Sequence, residues 1–307
     1  MTAVPAPCVG LVILNWNGFD DTTVCVSSVL EADPRPARIV VVDNASADGS
    51  GDALDGWIRE RGDPCMTLVR SATNRGFAGG VNIGIADLAR DPSISHFLLL
   101  NNDATVERDF FRELTRALGR APNAGLLGVT IYHGRGREQV WYAGGRLPGV
   151  RSVAVHGHLV PPEDGPIPTE FVTGCTFLIS RPAWTQLGPL PECYFIYFED
   201  AEYCRRARDA GLPVLYAPKA VVHHAVAATV RGDGARALAE YRFSRGRALY
   251  ARRNLRRWRK WAALAYLAIT RLARLAIETV RGQPAVGLGL ARGALDGVRA
   301  ADGVVRA

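Results

Sequence analysis

No C-x-x-C pair occurs among the six cysteines (8, 25, 65, 175, 193 and 204), and no cysteine–histidine group has zinc spacing. Disulfide or zinc stapling is not expected, and the cysteines read as small buried hydrophobes of a reducing compartment. The Walker pattern G-x-x-x-x-G-K-[ST] is absent, and no G-x-G-x-x-G directly follows the first apolar run. P-loop and hydride-transfer chemistry therefore lose their main sequence support. MTAVPAPC lacks a basic leader and VGLVILNW is short and β-branched, so export is not expected. Lysine is nearly missing, with Lys219 and Lys260 standing among arginines, which reads as the codon bias of a GC-rich genome.

What remains is an ordinary globular chain. Its 307 residues are 48% hydrophobic and 22% charged, which excludes a disordered or collagen-like polymer. A chain of this length can bury roughly three quarters of its unfolded surface. The net charge of +7 is uneven. Residues 252–281 hold nine basic side chains and one acid, Glu278, so the remainder sums to −1. Such asymmetry points to a surface partner for the C-terminal part.

Residues 9–14 (VGLVIL), 38–43 (RIVVVD), 66–70 and 96–100 (HFLLL) are apolar runs of buried-strand length, each followed by polar or glycine-rich residues and then a helical pattern. Four such units describe an α/β sheet, in which ligands bind beyond the C-terminal ends of the strands. GLLGVTIY and FVTGCTFLIS read as further strands, 143–168 as loop, 199–210 as a helix, and 213–223 as a strand interrupted by proline. From Ala237 the pattern is helical with no stop until Gly282, and 282–307 reads as one weak helix.

Three clusters could carry chemistry. Asp103 follows a buried strand by two residues, where a carboxylate would face the crevice and hold a divalent ion that carries a diphosphate. The alternative is that Asn101 and Asp103 cap a helix beginning at Thr105. Asp200 opens a helix between Glu199 and Glu202; the helix N-terminus favours its ionised form, as a proton acceptor needs, although a plain N-cap would look the same. His223 and His224 end a strand, so one imidazole can face the active edge while the other packs or meets solvent.

Taken in order, VILNWNG, VVVDNASADGS, NRGFAGGVNIGI, FLLLNNDATV, VTGCTFLISR, FIYFEDAEYCRRARDAG and P-x-A-x-V-x-H resemble a family 2 glycosyltransferase, most closely its rhamnosyltransferase-like members. The resemblance runs from about residue 9 to residue 229. It implies a GT-A fold, α/β with a Rossmann-like, mostly parallel sheet, and inverting transfer from a nucleotide-diphosphate sugar. On it, Asp43 falls at the nucleobase and Arg75 at the donor. Asn15, Asn17, Asn74, Gly76, Asn82, Asn101 and Asn102 join them on the donor side, and Gly174 and Glu199 lie on the acceptor side. Asp103 and His224 match the metal site, for Mg2+ or Mn2+, with Thr229 at the Ser/Thr position five residues on. Asp200 matches the catalytic base. Two departures stand out: Asn101 replaces the first acid of D-x-D, and the G-G-F-D-E block reads Gly188-Pro189-Leu190-Pro191-Glu192.

The implied donor is dTDP-L-rhamnose, with a UDP- or GDP-sugar as the alternative. The implied acceptor is a hydroxyl of a lipid-linked or cell-envelope glycan. A sugar-1-phosphate nucleotidylyltransferase would instead carry a basic, glycine-rich loop where this chain has NWNG. A catalytic domain over 1–235 and a basic amphipathic helical region over 236–307 are expected. In the latter, Trp258, Trp261 and Tyr266 sit where charge gives way to apolar residues, and Arg271 and Arg274 leave too short a run to span a bilayer. Arginines beside aromatics suit an anionic membrane surface, here through 252–281, with packing on the catalytic domain or on a twin subunit as the other reading. The expected location is cytoplasmic, peripheral at the inner face of the membrane. A homodimer is compatible, and nucleic acid is not expected because no binding motif accompanies the charge.

Overall fold

The computed structural model describes residues 6–134, 136–225 and 233–300. Strands β1 (Val9–Asn15), β2 (Arg38–Asp43), β3 (Met66–Arg70) and β4 (His96–Asn101) alternate with helices α1 (Phe19–Leu30), α2 (Ser50–Arg61) and α3 (Gly76–Leu88). After β4 come β5 (Ala104–Val106), α4 (Phe110–Arg120), β6 (Leu126–His133) and β7 (Val140–Tyr142). Three two-residue strands follow: β8 (Gly145–Arg146), β9 (Val155–His156) and β10 (Ile167–Pro168). The chain continues with β11 (Thr176–Ser180), α5 (Arg181–Leu187), a 3-10 turn at Glu192–Tyr194, α6 (Glu199–Asp209) and β12 (Val214–His224). Helices α7 (Asp233–Asn254), α8 (Trp258–Val280) and α9 (Pro284–Arg299) close it.

Among the described residues one mixed sheet runs β10-β12-β6-β11-β4-β1-β2-β3, with β5 on β12 and β7 on β6. The β3–β2–β1–β4 half is parallel, because each crossover is a helix. β11 enters antiparallel between β4 and β6. The apolar runs that read as doubly covered strands are so: Leu11, Ile13, Val40, Val41, Leu98 and Leu99 are buried. This is the GT-A-like α/β arrangement the sequence implied.

Two expectations change. Residues 104–106 are a strand, not the start of a helix, so Asn101 and Asp103 cap nothing; helix α4 begins only at Phe110. The helical pattern from Ala237 also breaks at Leu255–Arg257, with Arg257 left-handed at φ +55°. No glycine or proline marks that break. Leu255, in the break, is buried, and α8 begins at Trp258.

Helix α9 lies directly on α7. Side chains at Gly289, Gly293 and Gly297 would meet the carbonyl oxygens of Ala237, Tyr241 and Arg245 at 2.7, 2.2 and 2.3 Å, so only glycine permits this approach.

Candidate active site

The C-terminal ends of β1 and β2 are knitted by one asparagine. Asn15 and Asp43 are register neighbours. Asn15 Nδ2 donates to Asp43 Oδ1 at 2.9 Å and lies 3.1 and 3.2 Å from the Ser46 and Ser50 hydroxyls, while its Oδ1 accepts from Thr22 at 2.8 Å. Fully buried, Asn15 positions Asp43 and has no surface of its own for a ligand. Asn17, left-handed at φ +52°, accepts from the Ala47 amide at 2.8 Å and ties the loop after β1 to the loop after β2. Beneath Asp43, a side chain at Gly51 would stand 2.6 Å from its Oδ2. That glycine lets the helix start approach the carboxylate.

Asn44 went unnoticed in the sequence, hidden beside the more conspicuous Asp43. Its Nδ2 donates to Asn74 Oδ1 at 3.1 Å and the Gly76 carbonyl at 3.0 Å, and its Oδ1 accepts from the Arg75 amide at 3.0 Å. Gly76, at φ +70°, approaches Phe195 so closely that a Cβ would lie 2.2 Å from its carbonyl oxygen. Arg75 and Asn82 are brought together on Glu192: Arg75 Nη2 donates to its Oε2 at 2.7 Å and Asn82 Nδ2 to its Oε1 at 3.0 Å. Asn82 is further fastened to Leu190 N and O, so the departed G-G-F-D-E block still anchors α3 through its glutamate.

At the end of β4 the three polar residues diverge. Asn101 faces a cavity of about 390 Å3, Asn102 turns to the Thr22 hydroxyl at 3.0 Å, and Asp103 turns to His224. The turn after β4 into β5, paired antiparallel with β12, sets His224 opposite Ala104 and thus beside Asp103. Asp103 Oδ1 and His224 Nε2 are 3.0 Å apart. His223 points the other way, to Glu107 at 3.0 Å, as strand alternation requires. Burial works against charge on the His224 imidazole, but the Cys175 sulfur, as thiolate and hydrogen-bond partner, and the Asp103 carboxylate outweigh it and push its pKa up to about 10. Asp103 and His224 are bonded to each other here, so they would hold a Mg2+- or Mn2+-sized ion once the imidazole gives up its proton, with the other oxygens coming from phosphate and water. Among the described residues no group of three such ligands forms, so a substrate would have to complete the shell. Thr229 lies outside the described residues.

Across the cavity stands Asp200. Its Oδ2 accepts from the Gly174 amide at 2.8 Å and its Oδ1 from the Ala201 amide at 2.7 Å. Burial raises its pKa, and these amides moderate the rise. Glu199, beside it and buried, is pushed well above the carboxylate range by burial and by the Asp200 charge, and its Oε2 has no hydrogen-bond partner. Both carboxyls are thus raised, Glu199 by burial and by the neighbouring Asp200 charge, Asp200 by burial against the two amides that favour its ionised form. Leading into it, Phe195, Tyr197 and Phe198 all have positive φ (69°, 70° and 76°), a strain that side chains rarely bear and that aims α6 at the cavity. Asn101, Gly174, Glu199, Asp200 and His224 line one cavity, with Trp141, Val153 and Phe243 among its walls. The Phe243 wall comes from α7, a contribution no local motif announces.

The Glycosyl transferase family 2 profile matches residues 11–186. An N-acetylglucosaminyl-diphospho-decaprenol L-rhamnosyltransferase of Mycobacterium tuberculosis is 27% identical over 240 residues, covering 71% of this chain and 76% of that protein. The low-salt glycan biosynthesis hexosyltransferase Agl10 of Haloferax volcanii is 26% identical over 201 residues, 64% of this chain and 61% of its own length. Among solved structures, the mannosyltransferase PcManGT of Pyrobaculum calidifontis, in complex with GDP-Man and Mn2+, superposes with a TM-score of 0.58 at 18% identity, over 96% of this chain and 88% of that one. With the family profile spanning more than half its length, and with a matching fold, this chain belongs to glycosyl transferase family 2.

Proposed function

We propose that this glycosyltransferase moves a hexosyl group, best read as L-rhamnose from dTDP-L-rhamnose, to a hydroxyl of a lipid-linked or cell-envelope glycan with inversion. The observation that carries it is the placement of a half-buried, amide-held Asp200 on the same cavity as His224 and Asn101. Asp200 accepts the proton of the acceptor hydroxyl as that oxygen attacks the anomeric carbon opposite the diphosphate. Asp43, held by Asn15 and Ser46, receives the nucleobase. Asp103 and His224 would hold the divalent ion, whose chemistry is to neutralise charge on the departing diphosphate. The relatives support this reading: one is named for a rhamnosyl transfer onto a diphospho-decaprenol sugar, and PcManGT was solved with a nucleotide sugar and Mn2+.

The test is a melting screen of nucleotide sugars with and without Mg2+ or Mn2+, followed by transfer to a polyprenyl-diphosphate sugar. Saturation at a hundredfold over Kd adds ~2.7 kcal/mol. Stabilisation by a dTDP-sugar only with metal supports the reading, and a full screen with neither stabilisation nor transfer overturns it.

The region from 236 onward, on the same reading, seats the enzyme on an anionic membrane surface at its inner face. Among the described residues no helix is long and apolar enough to cross a membrane. Helix α8 instead turns Arg271 and Glu278 inward and sets Trp258, Trp261, Ile269, Leu272 and Val280 outward, Trp261 at 69% and Val280 at 89% exposure. Exposed Arg256, Arg257 and Arg259 surround its tryptophan end, which fits lipid headgroups. Flotation of the full chain with anionic vesicles, against a variant with Trp261, Ile269 and Leu272 changed to Ser, tests it. Loss of co-flotation in the variant supports the membrane reading; equal recovery, or self-association without vesicles that the variant abolishes, overturns it in favour of a second copy.

A further inference from the structure

Two arginines at the seam of α7 and α8 are buried with no ion pair among the described residues. Arg247 is 7% exposed and Arg271 8%, and the Nε of each has no hydrogen-bond partner. Arg247 spends one donor on the Arg151 carbonyl at 2.5 Å and also interacts with the Tyr266 hydroxyl, which leaves its Nε unused. No hydrogen bond or ion pair to Arg271 forms among the described residues. The Arg271 charge acts on Arg247, and burial lowers both pKa values, Arg247 to about 10. Glu240 is the carboxylate that acts on both, yet it makes no ion pair with either among the described residues. A third orphan lies alongside: Ser152 Oγ, fully buried and unpartnered, next in the chain to Arg151. Holding two guanidiniums this way costs free energy that a multivalent oxyanion would return.

The position says which oxyanion. The Arg247 guanidinium lies 6.0 Å from the ring of Phe243, and Phe243 and Val153 both line the cavity that holds Asp200. The outer side of the same α8 is the apolar stripe described above. Sugar cavity, cationic pair and apolar face thus follow one another across α7 and α8.

We propose that Arg247 and Arg271, with Ser152, bind the diphosphate of a lipid-linked acceptor, so that the acceptor sugar enters the cavity and the lipid chain leaves along α8. The order of the three parts rests on the transfer reading given under Proposed function; the anion site itself does not.

The test is calorimetric titration of the full chain with farnesyl diphosphate in EDTA, which silences a metal-dependent donor site, against farnesol and inorganic pyrophosphate. Farnesyl diphosphate binds at least about tenfold tighter than either, and Arg247→Gln and Arg271→Gln each weaken it by about tenfold or more, the size of a charged hydrogen bond. Asp103→Asn and Asp200→Asn leave it unchanged. Equal binding of farnesol or pyrophosphate, or unaltered affinity in both Gln variants, overturns the proposal. Should the variants melt early, hydrogen exchange on the wild type decides. Protection of 240–254 and 258–280 by farnesyl diphosphate but not by farnesol supports the site, and protection only elsewhere overturns it. Farnesyl diphosphate binding in a protein that transfers no sugar would sink the transfer reading alone.

Discussion

Glu202 and Arg253 face each other as a fork: Arg253 Nε and Nη2 donate to the two oxygens of Glu202, each at 2.9 Å. Glu202 sits two residues past Asp200 on α6, and Arg253 lies in the last turn of α7, so this pair joins the C-terminal helices to α6. Arg206 at 2.5 Å, the Tyr194 hydroxyl at 2.6 Å and Asn254 at 3.1 Å complete the shell.

Removing one partner of such a pair strands the other. Glu202→Gln is expected to cost about 3–5 kcal/mol of unfolding free energy, read in urea melts. Burial works against the Glu202 charge, but Arg253, Tyr194 and Arg206 overcome it and bring the pKa to about 2. Because the folded value lies below the unfolded one, its stabilisation is full above the ordinary glutamate range and fades as pH falls toward 2. Wild type therefore loses stability across that acid window, and the Gln variant loses less over the same interval. Parallel acid profiles would refute the assignment.

The two neighbouring carboxyls at the cavity are expected to behave unlike one another. Asp200→Asn cuts transfer by about 10²–10⁴-fold, while Glu199→Gln, at a carboxyl that burial and Asp200 push toward its neutral form, keeps it within about threefold. Steady-state kinetics on both variants check this, and equal losses would reverse the roles.

Since burial lifts the Asp200 pKa, kcat/KM should fall on the acid side at a pH above the ordinary aspartate range. A pH–rate profile with its acid limb at or below that range contradicts the environment described.

Gly76→Ala meets both a left-handed φ and the Phe195 carbonyl. The strained φ alone is worth about 1–3 kcal/mol, and the clash adds to it. A melting temperature unchanged from wild type would mean that α3 does not sit against the Phe195–Phe198 segment as described.

His224→Ala and Asp103→Asn should each abolish metal-dependent stabilisation by nucleotide sugars, read as the difference between melts of the same variant with and without metal. Retained metal-dependent shifts in both would place the ion elsewhere.

Strand-length apolar runs made the parallel half of the sheet legible, because buried strands such as 38–43 can be little else between turn residues. The polar residues at strand ends were legible as a group for the same reason. Their division of labour was not. Asn15 and Asn82 look as open to a ligand as Asn101, and only tertiary contacts show that the first two are fully spent on Asp43 and on Glu192 with Leu190. Residues 104–106 misread as a helix start because three residues carry no period, and their strand exists only through β12. The break at 255–257 has no breaker residue, and the inward turn of Arg271 inverts the usual rule that arginine marks the wet side. Neither is encoded locally.

The bare backbone contact between α7 and α9 carries a mechanical consequence. With no side chains at Gly289, Gly293 and Gly297 to cushion the join, the last helix acts as a splint on the rod that presents Phe243 to the Asp200 cavity and Arg253 to Glu202. A single methyl at Gly293 would pry that rod outward, and damage more than two hundred residues after Asp43 in the chain would be felt at the cavity that Asp200 lines.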